Sequence, residues 1–281
     1  MTSVPFGLCI NTSTIRCGKT TLEEATRIAS GAGYAGIEPW VDELDRYCAE
    51  GGRLEDLAQR FHDAGLRVMN LIGFFDWAVD DPVQRDKGLD EARRNFAQAQ
   101  ALSCPYVAAP PWHLTDERVV DLLPIAERYA QLVDIASEFD VVPLLEYWGH
   151  SKTLCRLSEA LLILSECNRP EARILADVFH TYKGTGHFEG VKLLTGHSLG
   201  LLHINDYPAE PSRDVITDDA RVYPGDGVAP LTEILATLAR NGYTGMVSLE
   251  LFNETYWAQP PDTVARTGIE KLRAVIAKAL G

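Results

Sequence analysis

The sequence lacks several features that mark well-known classes of protein. It has no run of about 18 apolar residues, so no membrane span is predicted. Its six cysteines include no Cys-x-x-Cys pair, which argues against common zinc and redox motifs and predicts reduced thiols, mostly in the core. Basic residues are also few. The 26 Lys and Arg against 40 Asp and Glu give a net charge of −14, which argues against binding a nucleic-acid backbone.

The first residues, MTSVPFGLCIN, have neither the basic region nor the long apolar segment of a secretory signal, so we expect a cytoplasmic protein. The chain has 281 residues, of which 46% are apolar, and this supports a well-packed core. A parallel α/β barrel commonly fills about 250 residues as one domain, so the length suits a single domain over 1–281.

Strand-like apolar runs alternate with helix-like periodic segments about eight times. The predicted strands are GLCIN, AGIEPW, LRVMNLIGF, PYVAAPPW, VVPLLEYW, RILADVFH, LGLLHIND and YTGMVSLELF. Predicted helices include 20–33, capped by Thr20 or Thr21, then 54–64, 82–102, 118–139, a weak one near 187–195, and 262–280. This alternation predicts parallel strands that close into a (β/α)8 TIM barrel. A doubly wound open sheet is disfavoured, because no glycine-rich phosphate loop follows the first strand.

One long segment interrupts the alternation. Residues 207–227 contain prolines, acids and glycines but no hydrophobic period. A loop of this length in a compact domain more often has a function than serves only as a connection. We therefore expect a functional lid at the rim of the barrel.

Four apolar runs end on an acid or an imidazole: Glu146, Asp177, His203 and Glu250. Burying such a group without a partner costs roughly several kcal/mol. In a parallel barrel the four strand ends meet at one rim, where adjacent strands lie about 4.8 Å apart. One shared divalent metal ion would satisfy all four. The alternative is that each is paired separately with an arginine or with backbone amides.

Five segments also carry a resemblance to a known family: LLEYW, ADVFH, LLHINDYP, RVYPGDG and MVSLELFNETYW. They resemble the xylose-isomerase-like sugar phosphate isomerase/epimerase barrels over essentially the whole chain. Inosose isomerases and ketose 3-epimerases are the most similar branches. In that family the residues at these motifs bind one divalent ion, and all four residue types match here: Glu146, Asp177, His203 and Glu250.

The resemblance implies an isomerase or epimerase of a small polyhydroxy ketone or aldehyde, either a sugar or an inosose. The ion polarises the substrate carbonyl and stabilises the enediolate that forms when a neighbouring carbon loses its proton. Glu146 and Glu250 are the implied proton carriers, one as base and one as acid. An inosose-type or dehydroshikimate-type dehydratase uses the same enediolate but expels a hydroxyl, and this lyase is the alternative.

Further positions are expected to contact the substrate. His180 matches a family histidine that contacts a substrate oxygen, with packing beside the site as the alternative. Arg213 lies in the long loop where relatives carry an arginine, with Arg221 as its competitor. Glu38, in GIEPW, resembles a rim carboxylate of the family, with structural pairing as the alternative. Trp112 belongs to a set of strand-end aromatics that would either wall a sugar-sized pocket or cap the core.

Ligand chemistry and composition bound the cofactor and partners. Three carboxylates and one imidazole favour Mn²⁺, with Mg²⁺, Co²⁺ and Zn²⁺ as alternatives. The expected partner is a small sugar or inosose, with no nucleic acid and no membrane. The sequence leaves open whether the chain forms a homo-oligomer. Apurinic-site endonucleases share the barrel but need three metals and more histidines than the seven present. A barrel that binds sugar without catalysis is a further alternative.

Overall fold

The structure is a computed structural model that describes residues 5–16, 20–116 and 118–281. Its strands are β1 (Gly7–Asn11), β2 (Gly36–Glu38), β3 (Arg67–Val68), β4 (Tyr106–Ala109), β5 (Val142–Glu146), β6 (Arg173–Asp177), β7 (Leu199–Ile204) and β8 (Met246–Leu249). Its helices are α1 (Leu22–Ala32), α2 (Val41–Ala49), α3 (Leu54–Asp63), α4 (Pro82–Ala101), α5 (Leu123–Ser137), α6 (Leu157–Glu166), α7 (Val178–Thr185), α8 (Leu231–Arg240), α9 (Glu254–Trp257) and α10 (Pro261–Leu280). Strands and helices therefore alternate, as the sequence predicts.

The strands form one parallel, 8-stranded sheet in the order β3-β2-β1-β8-β7-β6-β5-β4. Its two edges meet through the residues that follow β3. The amide of Leu71 donates to the carbonyl of Tyr106 at 3.0 Å, and the amide of Ala108 donates to the carbonyl of Leu71 at 2.9 Å. These bonds close the sheet into a barrel. The predicted TIM barrel is confirmed, and the open-sheet alternative is wrong.

Local sequence signals explain where two helices begin. At α1 the Thr21 hydroxyl accepts from the Glu24 amide at 3.2 Å, and the Glu24 carboxylate accepts from the Thr21 amide at 3.1 Å. This reciprocal capping box satisfies two amides that have no helical partner. At α4 the Asp81 carboxylate accepts from the Gln84 amide at 2.9 Å, and Pro82 occupies the first turn. Both helices begin close to their predicted positions.

Several local predictions differ from the structure. The helix predicted over 118–139 spans Leu123–Ser137. The third strand is reduced to Arg67–Val68, and the residues after it pair with their neighbours as isolated bridges, Leu71 with Val107 and Ile72 with Trp40. The sequence did not indicate α2 or α7, since each follows its strand almost directly, without a loop or turn signal. The weak helix predicted near 187–195 is a 3-10 turn, Glu189–Leu193.

The core has two layers. The larger lies between the strands and the surrounding helices, and the smaller fills the inside of the barrel with Cys9, Ile72, Ala108, Leu144, Leu175, Leu201 and Met246. Space inside is tight: a Cβ at Gly200 would lie 2.4 Å from a methyl carbon of Leu144. The carboxyl end of the interior is polar. There Asn11, Glu38 and His203 are completely buried.

The cysteines agree with the prediction of reduced thiols. The five cysteines in the described ranges are unpaired, and Cys9, Cys104 and Cys167 are buried. Cys17 lies outside the described residues. Within those same ranges, none of the helices combines the length and the apolar character needed to cross a membrane.

Candidate active site

The four predicted ligands lie at neighbouring strand ends. Glu146 and Asp177 are the last residues of β5 and β6. His203 lies near the end of β7, in register with Asp177, and Glu250 directly follows β8. Each of the four is at most 6% exposed. The barrel therefore places all four at its carboxyl rim, although their sequence separations are large.

Three of the four converge tightly. Asp177, His203 and Glu250 each offer a ligand atom, and these atoms all lie within 4.8 Å of one another. The His203 Nδ1 atom is 3.1 Å from Glu250 Oε2 and 3.8 Å from Asp177 Oδ2. We call these residues the metal cluster. Two carboxylates and an imidazole at this spacing surround a volume suited to a single cation.

Glu146, the fourth predicted ligand, does not belong to the metal cluster. It lines the adjoining pocket together with Glu250. Burial raises the pKa of Glu146 to about 8, with His203 opposing this shift and the negative charge of Glu250 adding to it. A carboxyl group with this pKa exchanges protons near neutral pH.

The unpaired nitrogen of His203 tests whether a metal fits. Among the described residues, the buried Nδ1 atom has no partner with hydrogen-bond geometry, although it faces two carboxylates. A buried polar atom without a partner is costly, and a cation between Nδ1 and the carboxylates would satisfy it. The residues present therefore fit a divalent metal ion.

Arg221, from the long loop, spans the metal cluster. Its guanidinium is 1% exposed, and Nη1 donates to Asp177 Oδ2 at 2.8 Å and to Glu250 Oε2 at 2.7 Å. Its Nη2 atom donates to Asp218 and lies 3.3 Å from His180 Nε2. One arginine is thus matched by three carboxylates, which leaves it no net positive charge to offer a ligand.

Burial and charge set the protonation of the neighbouring groups. Burial alone would raise the pKa of Asp177, but Arg221 holds this pKa below its usual range. Burial lowers the pKa of His180 to about 4, so its ring is neutral at pH 7. For His203, burial lowers the pKa, but Glu250 and Glu38 raise it well above its ordinary value. Metal binding at this imidazole must therefore release a proton.

A pocket of about 200 Å³ opens directly onto these groups. Its apolar wall consists of Trp40, Ile72, Phe74, Trp148 and Phe252, and its polar wall consists of Glu146, His150, His180, Asp218, Arg221 and Glu250. A mostly apolar cleft with a few convergent polar groups is typical of small-molecule sites. The volume suits a molecule the size of a monosaccharide.

The aromatic wall is itself built from packed rings. Phe74 makes edge contacts with Trp40 and Trp148, at centroid distances of 5.6 and 5.8 Å. Trp112 stacks against Phe74 at 4.8 Å and is not among the described residues that line the pocket. Its placement therefore differs from the predicted substrate contact, since Trp112 packs on a ring of the wall and does not itself line the pocket.

Of the other predicted substrate contacts, one lines the pocket and two do not. His180 is 5% exposed and lines the pocket. Glu38 is completely buried against Asn70 and His203, so it corresponds to the structural alternative. Arg213 also differs from its prediction. It lies in a partly exposed part of the loop, where it donates to a backbone carbonyl at 3.0 Å, and Arg221 takes the place by the pocket.

Several supporting residues were missed. Asn11, the last residue of β1, donates to Glu250 Oε1 at 3.0 Å and accepts from Trp40 Nε1 at 2.8 Å. Asn205 donates to Asp177 Oδ1 at 3.2 Å. Both asparagines lie at or just after the end of an apolar run, the same signal that identified the ligands. His150, in contrast, lies in a loop with no such signal.

Comparison with known proteins agrees with this architecture. The model of the xylose isomerase-like TIM barrel family matches residues 26–275. The chain belongs to this family. Among similar members, the inosose isomerase of Bacillus velezensis is 28% identical over 279 residues, which cover 96% of this chain and 97% of that protein. The fructoselysine 3-epimerase of Escherichia coli O157:H7 is 25% identical over 289 residues, covering 95% and 98%.

A solved structure of the family gives the same picture. The IOLI protein, described with a bound zinc atom, has a TM-score of 0.89 at 25% identity, covering 98% of this chain and 99% of that one. The predicted family is therefore confirmed. The predicted class of enzyme, an isomerase or epimerase, agrees with the named relatives.

Proposed function

We propose that the protein is a divalent-metal-dependent isomerase or epimerase of a small, uncharged polyhydroxy ketone, with an inosose as the first choice of substrate. The metal cluster carries the proposal, because it is buried and opens into a pocket lined by both Glu146 and Glu250. Similarity to an inosose isomerase over 96% of the chain supports the choice of substrate.

Asp177, His203 and Glu250 hold the metal ion, and Glu146 joins them as the fourth ligand from the pocket wall. When bound, the ion supplies Lewis-acid polarisation of the substrate carbonyl. Three carboxylates with one imidazole favour Mn²⁺. Zn²⁺ is the second choice, since the similar IOLI protein is described with zinc.

The two pocket glutamates divide the proton transfer. Glu250 lines the pocket and accepts hydrogen bonds from Asn11 at 3.0 Å and Arg221 at 2.7 Å, which hold its carboxylate in position to remove a proton from the carbon beside the carbonyl. Glu146, which lines the same pocket, is placed to return one. If the proton is returned to the opposite face of the same carbon, the result is epimerisation. Return to the former carbonyl carbon, with a hydroxyl proton passing between the two oxygens, gives isomerisation.

The charges of the pocket favour an uncharged substrate. Within the described ranges, Arg221 is the only lysine or arginine that lines the pocket, and Asp177, Asp218 and Glu250 already surround it. Glu146 adds a further acid. Even with the divalent ion bound, these four carboxylates outweigh the three positive charges of Arg221 and the ion, so like-charge repulsion would oppose binding of a phosphate or carboxylate group.

Two walls would orient a ring-shaped polyol. The aromatic side chains present flat apolar surfaces to its C–H bonds. On the polar side, His180 Nε2 lies 3.3 Å from Arg221 Nη2, which only donates, so Nε2 accepts and the proton belongs on Nδ1. That Nδ1 atom is buried and has no partner in the described part of the chain. A substrate oxygen accepting from Nδ1–H would satisfy it.

Proton NMR in D₂O tests the proposal. The protein is incubated with Mn²⁺ and a panel of inososes, free ketoses and phosphorylated ketoses, and the metal is then removed by chelation. We expect deuterium at a carbon beside the carbonyl of an inosose or free ketose, and none in a control never given metal. An unsaturated product formed with loss of water would instead indicate a dehydratase. Exchange in phosphorylated ketoses alone, or in no compound, would contradict the proposal.

A further inference from the structure

Three buried polar residues lie near the Nε2 edge of the His203 ring, whereas Asp177 and Glu250 face its Nδ1 atom. They are Glu38 from β2, Asn70 after β3 and Ser248 from β8, and we call these three residues the inner polar cluster. All three are completely buried, and none lines the pocket. A role in contacting the substrate therefore does not fit them.

Glu38 is the centre of the inner polar cluster. Its Oε1 atom accepts from Asn70 Nδ2 at 3.0 Å, and its Oε2 atom accepts from the Ser248 hydroxyl. Both oxygens also face His203 Nε2, at 3.2 and 3.1 Å. In the part of the chain that the structure describes, His203 is its only ion-pair partner. Among the residues that the structure describes, no lysine or arginine forms an ion pair with this buried carboxylate.

These contacts decide which ring nitrogen carries the proton. A buried carboxylate only accepts hydrogen bonds, so His203 Nε2, which faces both oxygens of Glu38, must be a donor. A neutral imidazole with a proton on Nε2 has its lone pair on Nδ1. That atom faces Asp177 and Glu250. Once the Nδ1 proton has been released, the ring is thus held with its lone pair towards Asp177 and Glu250.

We propose that Glu38 is a positioning residue for the metal centre: by accepting from Nε2–H it fixes the orientation and tautomer in which His203 offers Nδ1 to the ion. The inference rests on the proposed function, because it assumes a metal at the cluster. Carboxylates that accept from the second nitrogen of a metal-binding histidine typically change metal affinity about 10–100-fold. Glu38 acts through His203 and touches neither the substrate pocket nor Glu146.

Metal affinity measures this role without turnover. Zn²⁺ binding to the wild type and to Glu38→Gln is compared by competition with a chromophoric chelator. Glu159→Gln is the matched control: Glu159 is also a buried glutamate, 8% exposed, but it accepts from Arg118 and the Cys155 amide, away from the pocket. We expect about 10–100-fold weaker binding in Glu38→Gln and unchanged binding in the control.

A spectroscopic readout separates positioning from general damage. In the diamagnetic Zn²⁺-loaded protein, the His203 Nε2 proton is expected far downfield and slow to exchange with solvent, and His203→Asn assigns it. Glu38→Gln should move this resonance upfield, because a neutral amide is a weaker acceptor. Ser248→Ala should move it further downfield, because Glu38 loses one competing donor. If Glu38→Gln fails to fold, Ser248→Ala serves as the test by itself: a downfield shift supports the positioning role, and an upfield shift or none overturns it.

The outcomes distinguish this role from the proposed function. If the wild type binds no Zn²⁺, the metal site itself is wrong, and the role of Glu38 falls with it. If the wild type binds Zn²⁺ and Glu38→Gln binds it as tightly as Glu159→Gln does, only the positioning role is overturned. Shifts of the Nε2 proton in the same direction in Glu38→Gln and Ser248→Ala would also overturn it.

Discussion

Glu38 and Glu146 are both strand-end glutamates buried at the carboxyl end of one barrel, yet their surroundings differ. Glu38 is completely buried, and its oxygens face Asn70, Ser248 and His203. Glu146 is 6% exposed and lines the pocket, and burial raises its pKa to about 8. In the metal-free protein the first carboxylate is saturated with donors, whereas the second can exchange a proton with the pocket.

An acid at the end of a strand therefore indicates a buried polar site, but it does not show what the acid does there. The role depends on how many donors reach the carboxylate and on whether it faces the pocket. Substitutions at Glu38 and Glu146 should therefore have contrasting effects. Substitution of Glu146 should mainly affect turnover, and substitution of Glu38 should mainly affect the fold and the metal centre.

The largest expected effect is on turnover in Glu146→Gln. The amide cannot carry the proton, so kcat should fall by roughly 10²–10⁴-fold, the usual contribution of a general acid or base. Deuterium incorporation into the substrate at saturating Mn²⁺ measures it. Glu159→Gln should retain wild-type turnover. A kcat for Glu146→Gln close to that of the wild type would remove Glu146 from the mechanism.

The next effect is on stability, where substitution of Glu38 should have the larger effect and substitution of Glu146 the smaller one. In the metal-free protein, Glu38→Ala leaves Asn70, Ser248 and His203 Nε2 without their shared acceptor, so the free energy of unfolding should fall by about 1–3 kcal/mol. Glu146→Ala should cost clearly less, because the pocket admits water. Urea unfolding of both variants provides the comparison, and a greater loss in Glu146→Ala would refute the contrast.

An effect that is smaller for each pH unit concerns the pH dependence of stability in the metal-free protein. The raised pKa of Glu146, about 8 against an ordinary 4.5, means that the folded chain keeps a proton that the unfolded chain releases. Its contribution is fully present below the unfolded pKa, and stability falls as pH rises towards 8, by at most about 1.4 kcal/mol per unit. Glu146→Gln should flatten this slope in urea titrations at several pH values. An unchanged slope would contradict the assignment.

The smallest effect is expected at Arg213. Its side chain is partly exposed and bonds a backbone carbonyl, so Arg213→Ala should change stability by no more than about 0.5 kcal/mol and leave turnover unchanged. Arg221→Ala is the informative partner, since it removes the cation between Asp177 and Glu250 and should impair turnover strongly. Equal activity in the two variants would show that the assignment of the loop arginines is wrong.

The sequence predicted the barrel and the location of the site well, for a clear physical reason. Apolar runs with regular helical spacers define parallel strands, and a polar residue such as Asp177 or His203 at the end of such a run needs a partner. Those two residues and Glu250 do converge within 4.8 Å. Their joint binding of one ion with Glu146 remains a prediction.

The remaining features depend on three-dimensional contacts without a local signal. Arg213 and Arg221 lie in the same loop. Arg221 is the buried one because three carboxylates surround its guanidinium, and their positions cannot be read from the sequence. Glu38 ends its strand as Glu146 does, but its contact with His203 crosses the interior from β2 to β7. Helix α7 begins directly after Asp177, so no turn residue announces it.

The metal stoichiometry of the purified protein tests the central claim most directly. Mn²⁺ is titrated into wild type and Asp177→Asn, and free Mn²⁺ is followed by electron paramagnetic resonance. The asparagine can still accept from the His180 amide that Asp177 caps, so the start of α7 is kept. We predict one tight site per wild-type chain and a strongly weakened site in the variant. No tight site in the wild type, or equal binding by the two proteins, would contradict the account.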